Sequence, residues 1–175
     1  MSFLILIIVI VILLFGFVAF RGSPYVPSKK ADIRQAFKDL YVLKRDDLLV
    51  DIGSGDGVVL REAAKKGANA VGYEINPILL VISRFLSNKY KNIKIIFADF
   101  WSSQLPDTTT VVYVFSASRD MDRIIDKIQN EVNRLKRPIY IISYGSKFNG
   151  VQPAKSVGAY SLYTVKPLHA DKAQV

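Results

Sequence analysis

The sequence contains no cysteine and a single histidine. These shortages exclude disulfide bonds, thiol nucleophiles, and zinc or iron–sulfur sites built from clusters of cysteine and histidine. We therefore predict a protein without a metal. His169 stands in a polar tail, where we expect an ordinary surface residue. The sequence also lacks internal repeats. About 150 residues follow its apolar start, a length that predicts one domain of ordinary size.

Acidic residues are fewer than basic ones: 15 Asp and Glu stand against 24 Lys and Arg, for a net charge of +9. Such a surplus favours binding to nucleic acid or to an anionic membrane surface. The basic residues are scattered and interleaved with acids, and no dense basic block is present. Attraction to anionic lipid headgroups is therefore the preferred interpretation, and nucleic acid is not an expected partner.

Charge is absent from the first 20 residues, where residues 3–20 ("FLILIIVIVILLFGFVAF") form an apolar run. As a helix this run rises roughly 27 Å, close to the thickness of the bilayer's hydrocarbon core. A cleaved signal peptide, the alternative, needs a positively charged start and a small-residue cleavage site, and the sequence offers neither. We predict a transmembrane anchor over residues 1–22. The basic residues that follow it predict an outside N-terminus and a domain on the cytosolic face.

Beyond the anchor, residues 23–46 are predicted to form a juxtamembrane linker and a leading helix, and residues 47–175 the main domain. The linker "RGSPYVPS" contains prolines that forbid a regular helix, and Ser28 is a candidate N-cap for the helix after it. Apolar runs of strand length then alternate with helical patterns. Strands are predicted at 47–52, 69–74, 93–99, 110–115, 138–145 and 159–166, and helices at 29–41, 57–66, 76–90 and 121–135. This order predicts an α/β fold of the Rossmann-like, doubly wound type, with a mostly parallel sheet and an antiparallel last strand.

The stretch "LVDIGSGDGVVL" (49–60) places three glycines at alternate positions directly after the first strand. In an open parallel sheet, ligands bind beyond the carboxyl ends of the strands, and a helix that begins there favours negative charge. Dinucleotide-binding loops share these features. Here, however, Asp51 precedes the first glycine and Asp56 lies inside the loop. Two carboxylates would repel a pyrophosphate and would attract a ligand that carries an ammonium and a sulfonium group.

Two further acids end predicted strands. Glu74 closes the second strand, where a carboxylate can accept both hydroxyls of a ribose, and Asp99 closes the third, where one can accept from an adenine amino group. Each has an alternative structural role, because acids at strand ends often cap the next helix. Acids at three matching positions favour a binding site for an adenosine-containing cation.

Residues 47–116 resemble the class I, seven-β-strand S-adenosylmethionine-dependent methyltransferases. The carrying motifs are "VDIGSGDG", the acid after strand two and "ADF" after strand three. With "PYVPS", "ADFW" and the anchor, the chain is most similar to membrane-anchored protein lysine methyltransferases whose mitochondrial members modify the ATP synthase c-subunit and the adenine nucleotide carrier. The resemblance implies S-adenosyl-L-methionine as cofactor and a shortened C-terminal half. The implied cofactor-binding residues are Asp51, Gly53, Ser54, Gly55, Glu74, Asp99 and Phe100, with Phe100 against the adenine.

Three residues are candidates for the substrate pocket. Tyr25 from the linker and Trp101 after the third strand are candidate aromatic walls, although Trp101 has an equal claim as a core residue. Ser116 follows the fourth strand, where related enzymes contact their substrates, but it is also a candidate cap for the next helix. The N-P-P-Y pattern of enzymes that methylate nucleic-acid bases or glutamine is absent there.

The sequence thus predicts a membrane-anchored N-methyltransferase that acts on lysine side chains of a protein, with a membrane protein as the expected substrate. Two alternatives stay open. One is a methyltransferase for a lipid or small amphiphile, and the other is a tethered module that binds S-adenosylmethionine without catalysis.

Overall fold

The structure, a computed structural model, describes residues 3–6, 8–9, 28–115 and 118–168. The predicted anchor therefore lies largely outside the described residues. Residues 3–6 and 8–9 are helical. Among the described residues, every helix is too short or too polar to span a bilayer.

The described chain alternates strands and helices as the sequence predicts. The helices are α1 (Lys30–Asp39), α2 (Val58–Lys65), α3 (Pro77–Ser87) and α4 (Met121–Leu135), and the strands are β1 (Leu48–Ile52), β2 (Asn69–Glu74), β3 (Ile93–Phe97), β4 (Val111–Val114), β5 (Ile139–Tyr144), β6 (Lys155–Val157) and β7 (Tyr160–Val165). Short 3₁₀ helices follow β3 and precede α4. All predicted elements beyond the anchor are present, with ends that shift by up to three residues.

The seven strands form one sheet in the order β3-β2-β1-β4-β5-β7-β6. The first five pair in parallel, and β7 runs antiparallel to β5, which confirms the predicted orientation of the last strand. The segment between β5 and β7 has no helix among its described residues, and β7 therefore does not return by a parallel crossover. The short strand β6 was not predicted; it pairs antiparallel with β7 through a tight turn at Gly158.

Helices cover both faces of the sheet, because side chains of successive strand residues point to opposite faces. In β1, Leu49 belongs to the apolar cluster shared with α1, α2 and α3, whereas Val50 belongs to the cluster shared with α4. The sheet is thus buried on both sides, which explains why its central strands read as near-continuous apolar runs.

A side chain caps the N-terminus of α3, whereas no side chain of the described residues caps that of α1. Helix α3 begins as predicted: Asn76 is its N-cap and accepts from the backbone N–H groups of Ile78 (2.9 Å) and Leu79 (3.3 Å). The predicted N-cap at Ser28 is wrong. The N-cap of α1 is Lys29, whose side chain has no oxygen to accept a hydrogen bond, so burial of the apolar side of α1 holds it in place instead.

Candidate functional site

The loops after β1, β2 and β3 meet at one edge of the sheet, because these parallel strands are neighbours and end together. Asp51 is the next-to-last residue of β1, Glu74 is the final residue of β2, and Asp99 follows β3 by two residues. The strand order therefore brings the three predicted acids to the same edge, where an open parallel sheet binds its ligands.

The glycine loop between β1 and α2 requires glycine for two different reasons. Gly53, Gly55 and Gly57 all have left-handed backbones, with φ of 70°, 55° and 78°. A Cβ added to Gly53 would have no atom within 4 Å, so open space lies in front of it. A Cβ on Gly57 would stand 2.3 Å from the Ser83 hydroxyl of α3. Gly53 thus leaves room for a ligand, whereas Gly57 lets α3 pack against the loop.

Glu74 fastens the loop to β2. The carboxylate is buried, at 5 % exposure, and accepts from the N–H groups of Gly55 and Asn76, each at 2.7 Å. These two bonds use one lone pair on each oxygen. The second lone pair of each oxygen remains for two further donors, which suits the paired hydroxyls of a ribose.

Asp51 is buried at 3 % exposure, close enough to Glu74 and Asp56 for their charges to act on it. Burial raises the pKa of Asp51 well above its ordinary value, and the negative charges of Glu74 and Asp56 raise it further. A positive charge bound here would relieve this repulsion. The site therefore has the electrostatics expected for a ligand ammonium group. Asp56 is ion-paired with Arg61 at 3.0 Å, so Asp51 and Glu74 are the carboxylates that disfavour a pyrophosphate.

Asp99 caps the 3₁₀ helix Phe100–Ser102, because its Oδ1 accepts from the Trp101 N–H at 2.9 Å. The side chain is exposed at the edge of the sheet, and this capping is the structural role that the sequence left open for a strand-end acid. Phe100 is 5 % exposed and belongs to the core cluster on the α4 face, with its ring centroid 6.5 Å from that of Tyr73. Its predicted contact with adenine stays a prediction.

Ser54 points into the protein. It is 5 % exposed, and its Oγ lies 2.5 Å from the position that a Cβ on Gly72 of β2 would occupy. The backbone N–H of Ser54 donates to the carbonyl of Tyr73 at 3.0 Å. Ser54 thus seats the loop on β2, and its part in binding a cofactor remains a prediction.

The substrate-pocket candidates fall in different places. Trp101 is partly buried against α4, where the Arg123 guanidinium lies 4.0 Å from the ring centroid and Lys127 donates to the Trp101 carbonyl at 3.2 Å. Both of its predicted roles, aromatic wall and packing residue, stay open. Tyr25 and Ser116 lie outside the described residues.

An aromatic group at the same edge was missed by sequence reasoning. Its members are Tyr113, Phe115, Tyr144 and Tyr160. The ring centroid of Tyr144 lies 5.1 Å from that of Phe115 and 4.7 Å from that of Tyr160, and the hydroxyls of Tyr113 and Tyr160 are 3.5 Å apart. Phe115 and Tyr144 are partly exposed, whereas the other two are buried.

The aromatic group adjoins the acidic site. Tyr113 of β4 is the register partner of Asp51 of β1. Aligned residues of neighbouring strands lie side by side on one face. Burial raises the pKa of Tyr160 to about 12, while a hydrogen bond with Tyr113 opposes the change. The signal in the sequence was an aromatic residue near the carboxyl end of β4, at the end of β5 and at the start of β7.

The residues present fit S-adenosylmethionine. Asp51 offers a buried carboxylate to the amino group, Glu74 offers two acceptors to the ribose, and Gly53 leaves the space that a close backbone approach requires. Strand order, glycine loop and acids together define a class I, Rossmann-like methyltransferase domain. The solved RNA methyltransferase of Salinibacter ruber with S-adenosyl-L-homocysteine shares this fold, with a TM-score of 0.74 over 81 % of this chain and 94 % of that one at 21 % identity.

The model of the ANTKMT methyltransferase domain matches residues 51–155, and the chain belongs to this family. Among curated proteins, the ATP synthase C-subunit lysine N-methyltransferase of Xenopus laevis is 34 % identical over 119 residues, which cover 66 % of this chain and 51 % of that protein. The Homo sapiens protein of the same name is 36 % identical over 112 residues, covering 62 % and 47 %. The chain thus spans about half the length of these relatives. The predicted resemblance is confirmed, and with it S-adenosylmethionine as the cofactor.

Proposed function

We propose that this chain is a membrane-anchored, S-adenosylmethionine-dependent N-methyltransferase that modifies a lysine side chain of a membrane protein. The observation that carries the proposal is the pair of buried carboxylates, Asp51 and Glu74, beside the open glycine loop in a member of this family. The relatives are named as lysine methyltransferases of the ATP synthase C-subunit, so a protein of that kind is the first candidate substrate.

Cofactor binding is assigned to the acidic half of the site. Asp51 would accept from the cofactor's ammonium, Glu74 from its ribose hydroxyls and Asp99 from its adenine amino group. When bound, S-adenosylmethionine supplies a methyl group on a positively charged sulfonium. The protein's remaining task is to hold an acceptor amine in line with that methyl group and to keep water away.

Acceptor binding is assigned to the aromatic group. Tyr144 and Phe115 are partly exposed where a lysine side chain would enter. Aromatic faces attract an alkylammonium ion. A lysine must lose its proton before it can accept a methyl group, and its ordinary pKa is about 10.4. A water-poor pocket beside the positive sulfonium would lower that pKa, because the loss of water and the like charge both disfavour the ammonium. The tyrosine hydroxyls can then orient the neutral amine.

The anchor and its orientation remain part of the proposal. Support comes from the uncharged run over residues 3–20 and from the described residues within it, whose large apolar side chains range from 45 % exposed at Val9 to 75 % at Phe3. The basic residues after the run favour a catalytic domain on the cytosolic side. A tether of this kind would confine enzyme and substrate to one membrane surface and raise their effective concentration.

The proposal is tested by incubating the purified full chain with membranes and methyl-labelled S-adenosylmethionine. We expect label in a discrete protein band and, after hydrolysis, in methylated lysine. Asp51→Asn should abolish the label, whereas the matched control Asp46→Asn, a change at an exposed acid of the same segment, should not. Label in the lipid front would favour the alternative of a lipid methyltransferase. Cofactor binding without any transfer would favour a binding module.

A further inference from the structure

Helix α3 has its polar and apolar sides reversed relative to a helix packed on a water-exposed domain. Its buried residues are Leu80, Ser83 and Ser87. The exposed apolar residues of α3 are Ile78, Val81, Ile82, Phe85 and Leu86. They recur at intervals of three and four residues, which places them along one side of the helix. A helix normally turns such a side toward the core.

This side of α3 concentrates the exposed apolar side chains of the domain. Between residues 28 and 168, nine large apolar side chains are exposed in the described part of the chain, and six of them lie on α3 or at Phe97. Phe97 ends the edge strand β3 and points to the same face of the sheet as Ile95, which packs in the cluster that includes Leu80 of α3. We name these six residues the α3 face. Contiguous apolar surface of this kind marks a contact with a protein or a membrane.

The segment that carries the α3 face has charges of one sign. Residues 75–98 contain no acidic residue and four exposed basic ones, Arg84, Lys89, Lys91 and Lys94. Lys94 precedes Ile95 in β3 and therefore points to the opposite face of the sheet, which leaves Arg84, Lys89 and Lys91 as the basic residues near α3. Arg84 also donates to the Ile95 carbonyl at 3.0 Å, so it is held beside the face. Apolar side chains flanked by lysine and arginine are what a helix needs to lie in the headgroup region of an anionic bilayer.

The inner side of α3 explains how this reversal is tolerated. Ser83 and Ser87 lie against the glycine loop, where a Cβ on Gly57 would stand 2.3 Å from the Ser83 hydroxyl and 3.4 Å from that of Ser87. Within the described chain neither hydroxyl has a hydrogen-bond partner. The small serines let α3 approach the loop closely, and its large side chains are left for the outside.

From these observations we infer that the α3 face docks on the surface of an anionic lipid bilayer. The inference goes beyond the proposed methyl transfer and does not depend on it. Helix α3 begins three residues after Glu74, so its N-terminal end adjoins the cofactor site. Docking through this face would therefore hold the mouth of the site beside the membrane. Docking also explains the net positive charge of the protein, because anionic headgroups attract it whereas a basic protein substrate would not.

The test uses single-cysteine variants, since the chain has no cysteine of its own. Val81→Cys on the α3 face and Val42→Cys before β1 are matched, because the two valines are 65 % and 66 % exposed. Each full-length variant is labelled with a fluorophore and reconstituted into vesicles of phosphatidylcholine with phosphatidylglycerol. Quenching is measured with a nitroxide carried on lipid and with iodide in water. A cofactor-induced rise in melting temperature first shows that each labelled protein is folded.

We expect the lipid nitroxide to quench the label at position 81 several-fold more than the label at position 42, and iodide to do the reverse. Combining Lys89→Glu and Lys91→Glu should lower the ratio of docked to undocked protein, read from lipid quenching at position 81, roughly 5-fold or more per lysine. Omitting phosphatidylglycerol from the vesicles should lower this ratio similarly. Equal lipid quenching at both positions, or insensitivity to these charges, would overturn the inference. So would shielding of position 81 from both quenchers, which would show that protein covers the face, either a second copy or another segment of this chain.

Discussion

At the scale of single residues, the cost of the site to folding lies at Asp51. Its carboxylate is buried, and the negative charges of Glu74 and Asp56 act on it. Gly53 adds no such cost, because glycine adopts a left-handed backbone readily, and it leaves open space in front of the loop. A cost like that at Asp51 is often found at functional sites, where a ligand offsets it.

The first prediction concerns Asp51→Asn. Loss of a buried charge partner should weaken binding of S-adenosyl-L-homocysteine by about 2–5 kcal/mol in calorimetry. The same change should stabilise the ligand-free protein at neutral pH. The folded-state pKa of Asp51 is raised above its ordinary value of 3.8, so the folded protein binds the proton more tightly than the unfolded chain does. The carboxylate therefore lowers stability as the pH rises above that ordinary value.

Melting curves at several pH values measure this effect. The melting temperature of Asp51→Asn should exceed that of the parent near neutral pH and approach it as the pH falls toward the ordinary pKa of Asp51, 3.8. A variant less stable than the parent at neutral pH would contradict the description of Asp51 as an unfavourably buried carboxylate.

The second prediction compares Gly53→Ala with Gly150→Ala. Both glycines have nearly the same φ, 70° and 68°, and a Cβ at either would have no atom within 4 Å. Each alanine should therefore cost about 1–2 kcal/mol of stability from the left-handed backbone. Only Gly53→Ala should also weaken cofactor binding, by about tenfold or more. Equal affinities for the two variants would remove Gly53 from the cofactor site.

At the scale of elements, periodicity predicted the strands and helices that surround the site, because buried parallel strands and amphipathic helices have distinct patterns. The N-cap at Asn76 followed from its neighbour Pro77. Strand β6 was missed because three residues, Lys155–Val157, are too few to show alternation. The reversed side of α3 was also missed, since periodicity shows that a helix has an apolar side and does not show where that side points.

The aromatic group shows why part of the site could not be predicted. Asp51, Glu74 and Asp99 each follow or end a recognisable strand, and a parallel sheet brings such positions together. Tyr113 and Phe115 lie on or just after β4, Tyr144 ends β5, and Tyr160 begins β7. The first three meet because β4 pairs with β5, and Tyr160 joins them only because β7 lies beside β5. The sequence alone does not reveal which strands are neighbours, and it therefore gives no reason to place these rings in one group.

The third prediction tests the aromatic group through Tyr144→Ala. If the ring contacts the acceptor lysine, its loss removes an attraction of about 0.5–2 kcal/mol, so the KM for the protein substrate should rise about 3- to 30-fold. The Kd for the cofactor should stay unchanged, since Tyr144 lies outside the acidic half of the site. A change in cofactor affinity with no change in KM would contradict the division of the site into two halves.

At the scale of the whole molecule, the sheet has candidate binding surfaces in two places. Its carboxyl edge holds the acids and the aromatic group, and its β3 side carries the α3 face. The face of the sheet opposite α3 is covered by α4, whose buried residues Met121, Ile124, Ile128 and Val132 follow the predicted stripe. The fold thus leaves the carboxyl edge accessible to cofactor and substrate, and the α3 face accessible to a bilayer.

The fourth prediction concerns the stability of the whole domain. Cofactor at about 100 times its Kd should add about 2.7 kcal/mol of stability. In a chain of this size that corresponds to a rise of about 5–10 °C in Tm. A pyrophosphate-containing dinucleotide at the same concentration should give no rise, because the carboxylates around the glycine loop repel it. A larger shift with the dinucleotide than with S-adenosyl-L-homocysteine would contradict the cofactor assignment.

The hydrogen bonds from Gly55 and Asn76 to Glu74 hold the glycine loop and the start of α3 in position before any ligand arrives. This part of the site is therefore preorganised, which reduces the conformational entropy that binding has to remove. The amide hydrogen of Gly55 should accordingly exchange slowly with solvent even in the ligand-free state. Association with the cofactor should then be a single fast step, without a slow rearrangement of the loop.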